Sequence, residues 1–323
     1  MKVAVMSFAD ERAEPWARLL RDLPGVDLVT ADPDGPPDDP RRGPVVAARL
    51  GVPYLDGYDA VFAARPQAVV VTGETDRRRE LVERAAEAGA QVLCPHPPAD
   101  AEEDAQAMVD ACTKAAVRLT VASPACFGEA FATARRGLAE GVVGTLTTVH
   151  GAYHGQPPAT ADDDAGALAA RAPYLLDLVD AVFDGEPAAQ VYAQANSVLG
   201  GRPGAESAAL LTVCYPSGRV AALDCSRTPD PHPGGPALTF VGDRASLEYD
   251  ARPRLLGGHD ATTGAERWEP GGDDLDAAML RAFLATADGA PGTGPDGAAA
   301  LRALRIVRAA RTSARTGRPV ELR

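Results

Sequence analysis

The chain has 323 residues, enough for two domains of ordinary size, and its hydrophobic content of 46% fits a soluble globular protein. A formal net charge of −13 and an isoelectric point near 4.9 argue against sequence-blind binding to DNA and against adsorption to anionic membranes, both of which need a basic surface. No apolar run approaches the ~20 residues that a membrane-spanning helix requires.

The chain opens directly on an apolar strand over residues 3–6, with no charged leader before it, so no secretory signal is expected. A helix over 15–23 follows, with Trp16, Leu19, Leu20 and Leu23 at helical spacing, then a strand over 26–30. Residues 32–42 are rich in Pro, Asp and Gly and read as a loop. Short helices over 45–50 and 60–64 precede a strand over 69–72, a helix ending near Gly89, and a strand over 91–94. A helix over 102–116 and a strand over 118–122 complete an alternation that predicts a parallel sheet covered on both faces.

Beyond that point the pattern changes. A helix over 131–140 leads into alternating strands over 145–153, 189–198, 208–215, 219–226, 237–241 and 246–249, with Pro216-Ser217-Gly218 as one of the turns. Helices over 274–287 and 297–316 close the chain. The expected fold class is therefore an α/β Rossmann domain over 1–121, followed over 122–323 by an α+β domain with a mainly antiparallel sheet and a C-terminal helix. The five cysteines are scattered and lack CxxC spacing, which fits a reduced, cytoplasmic setting.

The strand over 91–94 runs into Pro95-His96-Pro97, and the segment 165–177 reads Ala-Gly-Ala-Leu-Ala-Ala-Arg-Ala-Pro-Tyr-Leu-Leu-Asp. With Tyr54-Leu55-Asp56-Gly57-Tyr58 and the closing run 298–322, these stretches resemble the Gfo/Idh/MocA oxidoreductases over nearly the whole length. The resemblance implies NAD or NADP as cofactor, a small-molecule substrate, no nucleic-acid or membrane partner, and a homo-oligomer (dimer or tetramer) built through the second domain's sheet.

It also implies where the chemistry belongs. In that family the strand ends in Glu-Lys-Pro, and the lysine is catalytic; here Pro95 and His96 stand at the glutamate and lysine positions. The second-domain helix of the family carries an aspartate and a histidine one turn apart; the matching residues are Ala170 and Tyr174, with a final aspartate kept as Asp177. Alanine transfers no proton, and tyrosine with an ordinary pKa near ~10 is a weak base. The dinucleotide positions fall on Ser7, Ala9, Arg12, Asp32 and Thr72. The first turn, Ser7-Phe8-Ala9-Asp10-Glu11-Arg12, holds no glycine where the family has GxGxxG, and Asp10 and Glu11 oppose a pyrophosphate, with Arg12 offsetting one of them. Asp32 stands where a carboxylate would take the ribose hydroxyls, although a turn aspartate is an equally good reading. Arg78 falls where the family often has a histidine; Arg77 and Arg78 read either as an anion site or as a solvated helix start.

His96, Tyr174 and His154 are the candidate catalytic residues. His150 and His154 lie four apart on one strand and so share a face, His154 at the side where the family holds its substrate. His232 sits in a Pro- and Gly-rich loop, and Cys126 falls where the family often has an arginine. A metal held by His96, His154 and His232 has no diagnostic spacing behind it, so no metal is assigned. Three readings follow: a repurposed enzyme without the usual hydride transfer, a conventional NAD(P)-dependent oxidoreductase of a sugar-like or secondary-metabolite substrate, and a non-catalytic partner subunit.

Overall fold

The computed structural model describes residues 1–36, 39–155, 166–199, 205–227, 235–259, 262–264 and 266–322. His232 and the loop 162–164 lie outside them. The chain divides into two units: Met1–Pro124 with Asp276–Leu301, and Ala125–Leu275 with Arg302–Arg323.

In the first unit the elements run β1 (Lys2–Met6), α1 (Ala13–Asp22), β2 (Asp27–Ala31), α2 (Gly43–Leu50), α3 (Tyr58–Ala63), β3 (Ala68–Val71), α4 (Thr75–Glu87), β4 (Gln91–Pro95), α5 (Glu102–Lys114) and β5 (Leu119–Ala122). The strands form one parallel sheet in the order β2-β1-β3-β4-β5. Their apolar runs carry no polar alternation because both faces are covered, and Val3–Met6 and Ala68–Val71 are buried throughout. Helix α1 starts two residues earlier than its periodicity predicts, since Pro15 is tolerated in a first turn, and it buries Trp16, Ala17 and Leu20. Because β2 and β3 flank β1, the strand order reverses there; in open sheets of this kind ligands bind beyond the carboxyl ends at such a point, here where Met6 is level with Ala31 and Val71.

The second unit contains α6 (Glu129–Ala139), β6 (Leu146–His154), α7 (Gly166–Val182), β7 (Gln190–Asn196), β8 (Ala208–Cys214), β9 (Val220–Ser226), β10 (Ala237–Gly242) and β11 (Ser246–Asp250). A hairpin that the sequence reading left unassigned, β12 (Arg254–His259) with β13 (Glu266–Pro270), comes next. Then follow α8 (Leu275–Ala287), α9 (Gly297–Thr316) and the short β14 (Val320–Glu321). The large sheet has the order β11-β10-β6-β9-β8-β7-β14, antiparallel except for the β6–β9 pair. Helix α7 lies close on one face because β6 carries Gly151: a Cβ there would stand 2.8 Å from Leu223 and Leu238 and 3.3 Å from Leu175. The core between them includes Val149, Leu175, Val179, Phe183 and Phe240. Two hydrogen bonds from Arg302 to Asp180 pin α9 to α7.

The division expected at 121/122 needs one amendment, because residues 276–301 return to the first unit. Edge strand β5 is covered by them: Val121 N–H donates to Pro295 O at 3.0 Å, and the Arg118 guanidinium donates to Gly294 O at 2.7 Å. The indole N–H of Trp16 donates to Asp276 at 2.8 Å. A sequence pattern reveals an amphipathic helix without revealing which sheet it covers. Asp276→Ala strands the buried indole N–H and is expected to cost about 1–3 kcal/mol. The check is urea unfolding, with a lower midpoint at unchanged slope; an unmoved midpoint contradicts this tie.

Candidate active site

At the carboxyl end of β1 the chain turns through Ser7 with φ +76°, the left-handed region that a glycine would enter freely. For serine this conformation costs roughly 1–2 kcal/mol, and the surroundings over-determine it. Ser7 N–H donates to Ala31 O at 2.7 Å, and its carbonyl accepts from Thr72 Oγ1 at 2.8 Å. Its hydroxyl oxygen accepts from Ala9 N–H at 3.2 Å and from Arg42 at 3.1 Å. The backbone of a glycine-bearing turn thus survives without glycine. Ser7, Ala9, Asp32 and Thr72 lie at the carboxyl ends of β1, β2 and β3.

Asp32, immediately after β2, is fully engaged. Arg42 grips it with both arms, Nε to Oδ2 and Nη2 to Oδ1, each at 2.7 Å, and Gly43 N–H adds 2.9 Å. The third edge of Arg42 donates to Glu74 at 2.8 Å. Gly35 lets its loop lie over this pair, since a Cβ there would stand 2.9 Å from Asp32 Oδ2. Burial works against the Asp32 charge, but the bonds from Arg42 and Gly43 outweigh it and hold the carboxyl below its ordinary range. Asp32 is therefore not a mere turn residue.

The other charges of the turn are also paired. Asp10 accepts from Arg12 N–H at 3.0 Å and from two nitrogens of its guanidinium at 2.9 Å, with Arg78 at 3.5 Å on the far side. Its carboxyl is opposed by burial yet held low by Arg12 and then Arg78. Arg12 thus serves Asp10. The two neighbouring arginines part company: Arg77 is a half-exposed partner of Glu80 and Asp34, while Arg78 is buried. Arg78 donates to Gly73 O at 2.9 Å, Pro95 O at 3.4 Å and Pro97 O at 2.5 Å. It thereby holds both residues flanking His96, which directly follows β4 in a buried position and precedes proline through a cis peptide. Cys94, two residues before, is fully buried, and burial pushes its thiol up to about 11, which makes it no nucleophile.

A dinucleotide needs a tight turn, a helix N-terminus and a carboxylate for its ribose. The turn and α1 meet the first two requirements in backbone shape. Asp32 would offer the third with Oδ2 already accepting from Arg42 and Gly43 and Oδ1 from Arg42.

In the second unit, Tyr174 projects from α7 with its ring edge-on to Tyr153 of β6, centroids 6.0 Å apart. Arg171, one turn earlier and buried, lies over the Tyr153 ring at 4.5 Å and donates to Gly155 O at 2.8 Å. His154 does not join this group. It lies with His150 on the opposite face of β6, both exposed, and its Nε2 stands 3.2 Å from Asp224. Asp177 is buried, and Cys126 packs against the apolar core. Arg42 and Arg171 escaped the sequence reading. Their signals were present: Arg42 precedes the Gly43-Pro44 helix start ten residues after Asp32, and Arg171 is the single charge in an apolar helical turn.

The Asp32–Arg42 pair gives stability a definite pH dependence. A depressed carboxyl contributes above its unfolded pKa of about 3.9, and the contribution is lost as pH falls through the lower folded value. Arg42→Gln is expected to cost about 3 kcal/mol near neutrality, the gap to the natural chain closing below about pH 4. Chemical unfolding at stepped pH measures it; a gap constant down to pH 2 contradicts the pairing.

Residues 37–123 match the oxidoreductase family with an NAD-binding Rossmann fold, and residues 131–248 match the GFO/IDH/MocA C-terminal domain. The chain is 27% identical over 222 residues to the D-apiose dehydrogenase of Paraburkholderia graminis, a match covering 64% of this chain and only 55% of that protein's length. GenD2 from gentamicin A biosynthesis, solved in complex with NAD, superposes with a TM-score of 0.84 at 20% identity, over 100% of this chain and 96% of that one. The myo-inositol dehydrogenase of Corynebacterium glutamicum gives 0.80 at 21% identity, over 100% and 99%. A five-stranded parallel sheet, a mainly antiparallel second sheet and both matched segments agree: the chain belongs to the Gfo/Idh/MocA oxidoreductase family.

Proposed function

We propose that this chain is a nicotinamide-dinucleotide oxidoreductase of a small, polyhydroxylated, sugar-like metabolite. The observation that supports the reading is the switch point of the first unit, where Ser7 keeps a left-handed turn after β1 and Asp32 directly follows β2. The dehydrogenase and oxidoreductase names of its relatives support the substrate class. A carboxylate at the ribose favours NAD over NADP, whose 2′-phosphate it would repel. A bound dinucleotide would supply the site at which hydride is accepted or donated. The chain's own part is the proton: His96, at the position of the family's lysine, would serve as the general acid or base. Arg78 holds the backbone on either side of His96 and so fixes its place at the strand end.

A second reading, redox-neutral chemistry without a dinucleotide, has one observation in its favour: Asp32 is held by Arg42. Direct titration separates the two. The first reading expects micromolar binding of NADH by calorimetry or fluorescence; no binding at millimolar dinucleotide favours the second. Given binding, His96→Ala is expected to lower kcat on the best of a panel of aldoses and polyols by roughly 10²–10⁴-fold, leaving the Kd for NADH unchanged. Unaltered kcat removes His96 from the mechanism.

The face of the large sheet turned away from α7 carries His150, His154 and Leu210, the last 58% exposed. We propose it as the contact surface of a homodimer or homotetramer. Leu210→Glu is expected to reduce the mass measured by light scattering, and a natural chain that is already monomeric contradicts this.

A further inference from the structure

Arg42 faces two carboxylates and satisfies only one of them completely. On Asp32 it is bidentate; on Glu74 it uses one nitrogen and one oxygen, Oε1. The second oxygen, Glu74 Oε2, is buried and has no hydrogen-bond partner among the described residues. A buried carboxylate oxygen without a donor is unfavourable, and a guanidinium satisfies both oxygens when it meets them side by side. The partner that could do so is already in contact with Oε1. A second seat for the same arginine therefore stands next to the first, on a side chain that is partly exposed where Asp32 is fully buried.

We propose that Arg42 is a two-position latch, bidentate on Asp32 in one position and on Glu74 in the other, and that the second position frees Asp32 for the ribose diol of a dinucleotide. The inference rests on the dinucleotide reading above and deepens it, by naming the residue that sets the affinity. Moving Arg42 exchanges one bidentate ion pair for another, so the guanidinium stays paired throughout. Asp32 in turn exchanges two guanidinium donors for two ribose hydroxyls and retains Gly43 N–H. Ser7 Oγ loses the Arg42 donor but keeps Ala9 N–H, so the turn holds its shape. The latch and the sugar compete for one carboxylate, and Glu74 sets the balance between them.

Two variants of opposite sign test this, each titrated with NADH by fluorescence and calorimetry, its folding verified by thermal unfolding. Arg42→Gln removes the competitor and is expected to tighten Kd at least ten-fold, or to bring binding into the measurable range. Glu74→Gln removes the alternative seat, leaves Asp32 and Arg42 paired, and is expected to weaken Kd at least ten-fold. Arg42→Gln binding as weakly as the natural chain, or more weakly, overturns the latch while leaving the dinucleotide reading intact, because the natural chain still binds. Glu74→Gln binding with natural affinity overturns it as well. Absence of binding by both the natural chain and Arg42→Gln overturns the latch and the dinucleotide reading together.

Discussion

Removing a carboxylate from water is tolerable only if donors replace the water, and in the first unit that constraint organises everything around Asp32. Its side chain is fully buried, and three hydrogen bonds from Arg42 and Gly43 compensate it. The same arginine touches Ser7 Oγ and thereby supports a left-handed serine where a glycine would otherwise be required. Gly35 allows the backbone after β2 to approach the ion pair closely, and Gly43, at the start of α2, adds its N–H.

A second charged cluster links that turn to the end of β4. Asp10 is shared between Arg12 and Arg78, and Arg78 reaches the carbonyls on both sides of His96. The charges of the glycine-free turn, which in isolation would repel a pyrophosphate, are thus neutralised within the unit. Asp10 of the turn is compensated by Arg12 of the turn itself and by Arg78 of α4, and Ser7 accepts from Arg42 of the loop after β2.

How much of this could be read beforehand follows from the range of each interaction. Periodicity located β1, α1, β3, β4 and α9 because their burial is set by near neighbours along the chain. The apolar strands were legible for the same reason, and Ser7, Asp32 and Thr72 each directly follow one of them. The pairing of Arg42 with Asp32 spans ten residues of loop and Arg78 with Pro97 nineteen, and no periodic pattern encodes such contacts. The β12–β13 hairpin and the return of residues 276–301 to the first unit were illegible because amphipathic segments do not name the surface they cover. His154 shows the limit of analogy: strand alternation correctly paired it with His150, and that same alternation turns it away from Tyr174.

The family's two-domain framework persists in this chain. In the proposed latch, dinucleotide binding on that framework has Asp32 change partners from Arg42 to the ribose. A crystal structure grown with saturating NADH tests this most directly. The account predicts the adenosine ribose hydroxyls on Asp32, with Arg42 turned onto both oxygens of Glu74. An intact Asp32–Arg42 pair with the dinucleotide bound elsewhere, or with Arg42 contacting the ribose itself, would contradict it.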